Sequence, residues 1–262
     1  MKVAFISDVH GNLEALEAVL ADVQRKGAER IFCLGDIVGY GPNPHECLAL
    51  VRENCGIVVR GNHEDGLLDD DYARVTMGST AYEVIKWTRE RLTPDDLSYI
   101  EGLPYTATVE PNGTSERRIL LAHAQFFEPR MFLYLAEQDD GEGVPEFLNQ
   151  LHEMSYGDRL FIGHHHYPSV LHYVEEEPEV DEDYNYYLQR NSCAIVVVGS
   201  VGQPRTSETK DAQYALYDAV RDTFCFHHVP YDWRTTVAKI EGCGFSEQTQ
   251  KALVRQLTPE DV

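Results

Sequence analysis

The sequence predicts an α/β fold built on a parallel sheet, and three observations carry that prediction. Short apolar runs alternate with helically spaced apolar residues from Met1 to Glu64. Each apolar run ends in a polar tip rich in Asp, His and Asn. Strand-like runs return beyond Tyr105, so the sheet architecture extends through the second half.

Met1 to Ile6 (MKVAFI) is apolar enough for one buried strand. Leu13, Leu16, Val19, Leu20 and Val23 then recur at helical spacing, a helix of about four turns. Asn12 suits its N-cap, and Glu14 and Glu17 suit its positive end. Ile31 to Leu34 is a second strand, ending in Gly35-Asp36, and Gly39-Tyr40-Gly41-Pro42-Asn43-Pro44 is a turn-rich loop. A helix follows from Pro44 to about Glu53 with Leu48 and Val51 inward. Ile57 to Val59 is a third strand, ending in Arg60-Gly61-Asn62-His63-Glu64. Right-handed crossovers would make the three tips neighbours at the strands' carboxyl ends, where open α/β sheets carry their sites. In an extended tip Asp8 and His10, two residues apart, would point the same way.

From Asp65 to about Leu103 the pattern turns helical with scattered charge. Asp69-Asp70-Asp71 reads as a solvated surface turn. Ala81 to Arg91 reads as an amphipathic helix, and Thr93-Pro94-Asp95-Asp96 as the cap and first turn of another. The block is read as an insertion over the site, within a single domain spanning residues 1–262. The helical spacing of Tyr72, Tyr82 and Trp87 favours core packing over base stacking. Tyr105 to Val109 and Arg118 to Ala122 form a predicted hairpin through Pro111-Asn112-Gly113, the second strand ending in His123. Val144 to Met154 reads as a helix, and Leu160 to Ile162 as a strand ending in Gly163-His164-His165-His166. Glu175 to Asp183 is an expected exposed acidic loop. Ala194 to Val198 is a fully apolar strand followed by Gly199-Ser200-Val201-Gly202-Gln203-Pro204-Arg205. Two strands near Tyr214 to Tyr217 and Thr223 to Val229 suggest a second sheet, and the tail from Asp232 is helical.

Twenty-two Lys and Arg stand against 44 Asp and Glu, a formal charge of −22. That balance, with no basic stripe, argues against a general nucleic-acid binder. An anionic substrate would need local positive charge, such as bound metal. The six cysteines show no C-x-x-C pairing, and Cys33 and Cys193 sit in strand-like runs as small hydrophobes. No secretory pattern opens the chain and no apolar run approaches membrane-spanning length, so a reducing, cytoplasmic setting is the expectation.

Asp8, His10, Asp36, Asn62, His63, His123, His164 and His166 all follow predicted strands. Singly, each has an ordinary explanation: a capping Asp, a turn Asn, a half-buried imidazole. Eight at five strand ends point to one site. Carboxylate, imidazole and amide oxygen together suit borderline or hard divalent ions such as Mn, Fe, Zn or Ni. With two metals, one bridging carboxylate is needed, and Asp36 is the candidate.

Asp8-x-His10, Gly35-Asp36, Gly61-Asn62-His63-Glu64, His123 and Gly163-His164-His165-His166 resemble, in order, the motifs of calcineurin-like metallophosphoesterases. Ser7-Asp8-Val9-His10-Gly11-Asn12, the Gly39 to Pro44 loop and the Gly199 to Arg205 run resemble the family's small bacterial and archaeal phosphodiesterase-like branch. The resemblance implies a four-layer α/β/β/α sandwich of two mixed sheets. It implies one metal held by Asp8, His10, Asp36 and His166, and a second held by Asp36, Asn62, His123 and His164. His165 falls at the motif's variable position. The expected cofactors are two divalent ions, manganese first, with iron, zinc, nickel or magnesium as alternatives.

By the same resemblance His63 stays off the metals and protonates the leaving oxygen, as an imidazole poised near neutral pH. A metal-bridging water attacks phosphorus directly, and Arg205 helps to neutralise the phosphoryl oxygens. Arg60 is a second phosphate contact or a solvent-facing strand arginine. The expected substrate is a small phosphodiester or phosphomonoester, with a nucleotide among the candidates. Two departures stand out. Gly39 and Tyr40 occupy positions where the protein-phosphatase branch has Asp and Arg, so His63 lacks its carboxylate orienter. Ala124 stands where Gly often follows His123. The alternatives are a protein-binding scaffold on this fold, disfavoured by the complete ligand set, and a nuclease, disfavoured by the acidic balance.

Overall fold

The computed structural model describes residues 1–110, 118–134, 150, 153, 158–172, 179–182, 185–188, 193–206 and 210–259. In chain order its strands are β1 (Lys2–Ile6), β2 (Arg30–Cys33), β3 (Ile57–Val58), β4 (Thr106–Val109), β5 (Ile119–Ala122), β6 (Arg159–Ile162), β7 (Pro168–His172), β8 (Glu179–Val180), β9 (Tyr186–Tyr187), β10 (Ala194–Val198), β11 (Ala212–Asp218) and β12 (Thr223–Val229). The described helices are α1 (Leu13–Arg25), α2 (Pro44–Asn54), α3 (Asn62–Leu68), α4 (Asp70–Thr76), α5 (Ser79–Arg89), α6 (Pro94–Glu101), α7 (Trp233–Glu241) and α8 (Glu247–Leu257).

The strands form two mixed sheets, one ordered β3-β2-β1-β11-β12-β9-β8 and the other β4-β5-β6-β10-β7. The predicted β1-α1-β2-α2-β3 start is present, with β1, β2 and β3 parallel. β11 and β12 do not begin a second sheet. β11 pairs antiparallel with β1, Phe5 opposite Ala215, and so completes the first sheet. The second sheet is instead built from β4 and β5, antiparallel as predicted, together with β6, β10 and β7.

Side-chain alternation along β1 explains how the layers stack. Val3 and Phe5 face the inter-sheet core, where the Phe5 ring stacks on Phe161 of β6 at 3.8 Å. Ala4 and Ile6 face the other way, against Leu16, Val19 and Val23 of α1 and Leu48 and Val51 of α2. The far face of the second sheet carries Leu160, Ile162, Ile195 and Val197. The predicted Val144 to Met154 helix falls largely outside the described residues, as does the Pro111-Asn112-Gly113 turn.

Leu67, Ala73, Ile85, Ile100 and Leu103 from the 65–103 block join the same core as α1 and α2. Asp69-Asp70-Asp71 is not a free turn. The Asp69 side chain accepts from Tyr72 N at 3.0 Å and caps α4, whose first turn holds the other two acids. Trp87 packs on Phe245 and donates its indole N–H to Cys243 O at 2.9 Å, a packing role. Part of the acidic 175–183 stretch is the exposed strand β8, paired with β9. Among the described residues no helix is long and apolar enough to cross a membrane.

Candidate metal centre

The β1 tip is threaded between two other tips. Asp8 N donates to Gly35 O at 3.0 Å, His10 N to Asp36 O at 2.9 Å and Gly11 N to Ile37 O at 2.8 Å. From the other side Gly202 N and Ser200 Oγ both donate to Asp8 O at 2.9 Å. The tip is not extended: Asp8 has φ +52° and His10 φ +49°. Asp36, His164 and His166 are left-handed too, at +50°, +64° and +62°. Such backbones cost about 1–3 kcal/mol each outside glycine and persist where the surroundings over-determine them, typically at functional sites. Here crowding supplies the constraint. A Cβ at Gly61 would lie 2.2 Å from Asp36 Oδ1, so only glycine lets the β3 tip approach the β2 tip.

Three imidazoles are oriented by carbonyl groups. Nδ1 of His10 donates to Val38 O at 3.2 Å, that of His123 to Leu34 O at 2.7 Å and that of His166 to Gln203 O at 2.6 Å. A carbonyl only accepts, so each neutral ring turns its Nε2 lone pair inward. There the acceptors converge. His10 Nε2 and His166 Nε2 are 3.1 Å apart, and Asp8 Oδ1 is 3.2 Å from His166 Nε2. Asp36 Oδ2 is 3.3 Å from His123 Nε2, and Asn62 Oδ1 is 3.1 Å from both His123 Nε2 and His164 Nδ1. Asp8 Oδ1 and His164 Nε2 are buried without a hydrogen-bond partner among the described residues. Lone pairs facing one another in a dry site repel unless positive charge stands among them, and this donor set fits divalent cations.

The groups that could hold a metal are Asp8, His10 and His166; Asp36, His123 and His164; and His10, Asp36 and His63. Asp36 thus reaches both sides of the cluster. Burial opposes its ionisation, yet the imidazoles of His123 and His63 hold its carboxyl well below the usual range. Asp8 is likewise held down, chiefly by His166 against burial. Burial lowers His10, and lowers His164 to about 3. Burial opposes the charge on His123 too, but Asp36, Asp8 and the Leu34 carbonyl together raise it to about 10.

His63 is 3 % exposed, with Nε2 4.0 Å from Asp36 Oδ2. Burial pulls it down to about 4, which departs from an imidazole poised near neutrality. Its Nδ1 has no partner among the described residues, and a Cβ at Gly39 would fall 2.0 Å from it. The backbone of Gly39 therefore fills the place where an orienting side chain would stand. Tyr40 packs its ring on His63 at 4.6 Å and on His10 at 4.7 Å. Arg205 lies at the cluster's edge: its N–H donates to His166 O at 3.0 Å and its guanidinium to Tyr134 Oη at 3.1 Å. Arg60 belongs to a different network. Its guanidinium donates to Asp65 and Tyr105, at 3.3 and 3.2 Å, and to Glu101 O, an arrangement that is neither solvent-facing nor gathered into the cluster. His165 is buried and joins none of the metal-competent groups.

The family model for calcineurin-like phosphoesterases matches residues 1–199. The chain belongs to that family. This phosphoesterase is 35 % identical over 239 residues to an uncharacterized protein of Methanocaldococcus jannaschii, covering 91 % of each chain. Its structure resembles that of a metallophosphoesterase from Sphaerobacter thermophilus, with TM-score 0.68, 28 % identity and 97 % and 98 % of the two chains covered. It also shares its fold with a hypothetical protein from Pyrococcus horikoshii OT3, with TM-score 0.71, 21 % identity and 96 % and 97 % coverage. The phosphoesterase is metal-dependent in class, and its clustered Asp and His side chains could bind divalent metal.

Sequence reasoning passed over two residues of this phosphoesterase site. Glu64, fully buried, accepts from Asp36 N, Ile37 N, Val38 N and Gly61 N at 2.8 to 3.3 Å, and so fixes the loop bearing Asp36. Burial, then the Asp36 charge, pushes it up to about 7. Its place in the Gly61-Asn62-His63-Glu64 motif was the available signal. Tyr134, which stacks on His164 at 4.4 Å, carried none.

Proposed function

We propose that the chain hydrolyses a phosphodiester or phosphomonoester at a dinuclear metal centre. The observation that carries this reading is the position of Asp36, whose Oδ2 lies 3.9 Å from His10 Nε2 on one side of the cluster and 3.3 Å from His123 Nε2 on the other. Asp8, His10, Asp36 and His166 would hold one cation, and Asp36, Asn62, His123 and His164 the other. Bound cations supply Lewis acidity, which makes water nucleophilic at neutral pH and neutralises phosphoryl charge. The donors suit manganese, with iron, zinc, nickel or magnesium as alternatives.

The chain's own groups supply the rest. The carbonyls of Val38, Leu34 and Gln203 fix the tautomers of His10, His123 and His166, so these three rings are preoriented. His63 presents Nε2 at the cluster and serves the leaving oxygen. An anionic phosphoryl group beside it favours the protonated ring, against the effect of burial. Arg205 contributes a fixed positive charge at the rim, and a small anionic ester is the expected substrate.

The test is to reload purified protein with manganese and assay p-nitrophenyl phosphate and bis-p-nitrophenyl phosphate. Asp36→Asn is expected to lose both bound metal and rate. His63→Ala is expected to keep metal and lose about two decades of rate or more. Inactivity across several metals and both esters would overturn the reading, and metal loss in His63→Ala would overturn the division of roles.

A further inference from the structure

Tyr40 is the wall between the metal cluster and a second space. On its far side lies a cavity of about 380 Å³, lined by Tyr40, Gln203, Arg205, Leu253 and the first turn of α5 from Gly78 to Ala81. The lining is apolar at Ala81, Ala252 and Leu253 and polar at Ser79, Thr80, Gln203, Arg205 and Gln256. α5 is 11 residues long, has Gly78 as N-cap with no side-chain cap bond, and carries no acid in its first turn. The N–H groups of Ser79, Thr80 and Ala81 have no acceptor among the described residues. They point out of the positive end of a helix, an arrangement that favours anions.

Gln203 is an independent observation. Its residue is 5 % exposed, its carbonyl holds the His166 ring, and it lines the cavity. Its side chain makes no hydrogen bond among the described residues, so the amide is available to an occupant of the cavity. Arg205 adds a full positive charge to the same rim. A larger cavity of about 1110 Å³ also touches Ala252 and Gln256 and bears Lys210, Lys251 and Arg255, with Glu241 as its acid. Positive charge is scarce in a chain of formal charge −22, so its gathering around this path is a local departure.

We infer that this cavity receives the leaving group of the substrate, and that the leaving group carries a second phosphoryl group. The inference rests on the phosphoesterase reading of the neighbouring cluster. Three helix N–H groups, an amide and a guanidinium offer more donors than the two oxygens of a carboxylate accept, and they match a phosphoryl group. The scissile phosphoryl sits at the cluster and the second one across Tyr40, so the preferred substrates are small molecules phosphorylated at both ends.

Binding and turnover are measured separately on the manganese-loaded protein. Butane bisphosphonate and butylphosphonate, which resist hydrolysis, are compared by calorimetry. The bisphosphate of butanediol and butyl phosphate are compared by phosphate release. The bisphosphonate is expected to bind about tenfold more tightly or better, the scale of one added charge-assisted contact. Gly78→Asp should abolish that preference by setting a carboxylate at the helix terminus. Gly78 has ordinary negative φ and an added Cβ meets nothing within 4 Å, so the variant should melt no lower than the parent. Arg205→Gln should also reduce the ratio. Equal affinity of the two phosphonates, or an undiminished preference in Gly78→Asp, overturns the inference. Failure to hydrolyse either ester overturns the phosphoesterase reading instead, and the calorimetric ratio still decides the cavity.

Discussion

Gly39→Ala isolates the positioning of His63 from the rest of the site. Gly39 has φ +89°, where a side chain costs about 1–2 kcal/mol. Its new methyl would also start 2.0 Å from His63 Nδ1, 2.9 Å from Cε1 and 3.0 Å from Cγ. Ordinary carbon contacts begin near 3.5 Å, so ring and loop must separate by roughly 1.5 Å. The ring is already packed on His10 and Tyr40. A displacement of about 1 Å in a catalytic group costs on the order of a hundredfold in rate. Gly27→Ala is the control, because Gly27 has φ +72° and an added Cβ there meets nothing within 4 Å. Gly27→Ala should lose about 1–2 kcal/mol in urea unfolding from backbone strain, and Gly39→Ala about 1–3 kcal/mol more from overpacking. In p-nitrophenyl phosphate turnover, Gly27→Ala should match the parent and Gly39→Ala should fall about a hundredfold. Metal content by mass spectrometry should be unchanged in both. Equal turnover in the two variants would refute the argument that the position of His63 governs the rate.

Two further outcomes follow from buried carboxylates. Glu64→Gln replaces one acceptor oxygen with a donor that faces backbone N–H groups, and should destabilise the fold by about 2–4 kcal/mol in urea unfolding while weakening metal retention. Asp96 accepts from Thr93 N, Thr93 Oγ and His45 Nδ1 at 2.7 to 2.9 Å. Burial opposes its ionisation, but the Thr93 bonds and His45 hold its carboxyl below its ordinary 3.8. A lowered folded value contributes stability that is present above 3.8 and lost as pH falls through the folded value. The stability difference between parent and Asp96→Asn, from unfolding curves across pH, should therefore be full near neutrality and close in acid; a difference that widened in acid would contradict it.

Strand ends were legible because periodicity marks where β1, β2 and β3 stop, and the parallel crossovers then fix which tips meet. Asn12 was legible as a cap: it accepts from Ala15 N at 3.2 Å. The sheet membership of β11 was not, because its alternation fits either sheet and only pairing with β1 decides. The left-handed turns at Asp8 and His10 were equally hidden. They are held by hydrogen bonds to Gly35 and Asp36 and by the close approach of Gly41 to His10 and of Gly202 to Val9, residues distant in sequence. The tautomers of His10, His123 and His166 depend on carbonyl groups, which every residue carries and no motif reports. Arg60 was misplaced because its partners, Asp65, Glu101 and Tyr105, lie on three different segments.

The sheet order also bears on how the protein is made. β1 is internal, with β2 on one side and β11 on the other, and the Asp8 carbonyl closes onto Ser200 across 192 residues. A ribosome therefore releases the apolar Val3–Ile6 segment long before its antiparallel partner exists. Throughout that interval β1 is an unprotected edge, the kind of surface that recruits other nascent chains. Closure is a long-range event and correspondingly slow. The contacts of the Asp8 loop with Ser200, Val201 and Gly202 await that late segment, and chaperone occupancy of the nascent chain should persist until β11 has emerged.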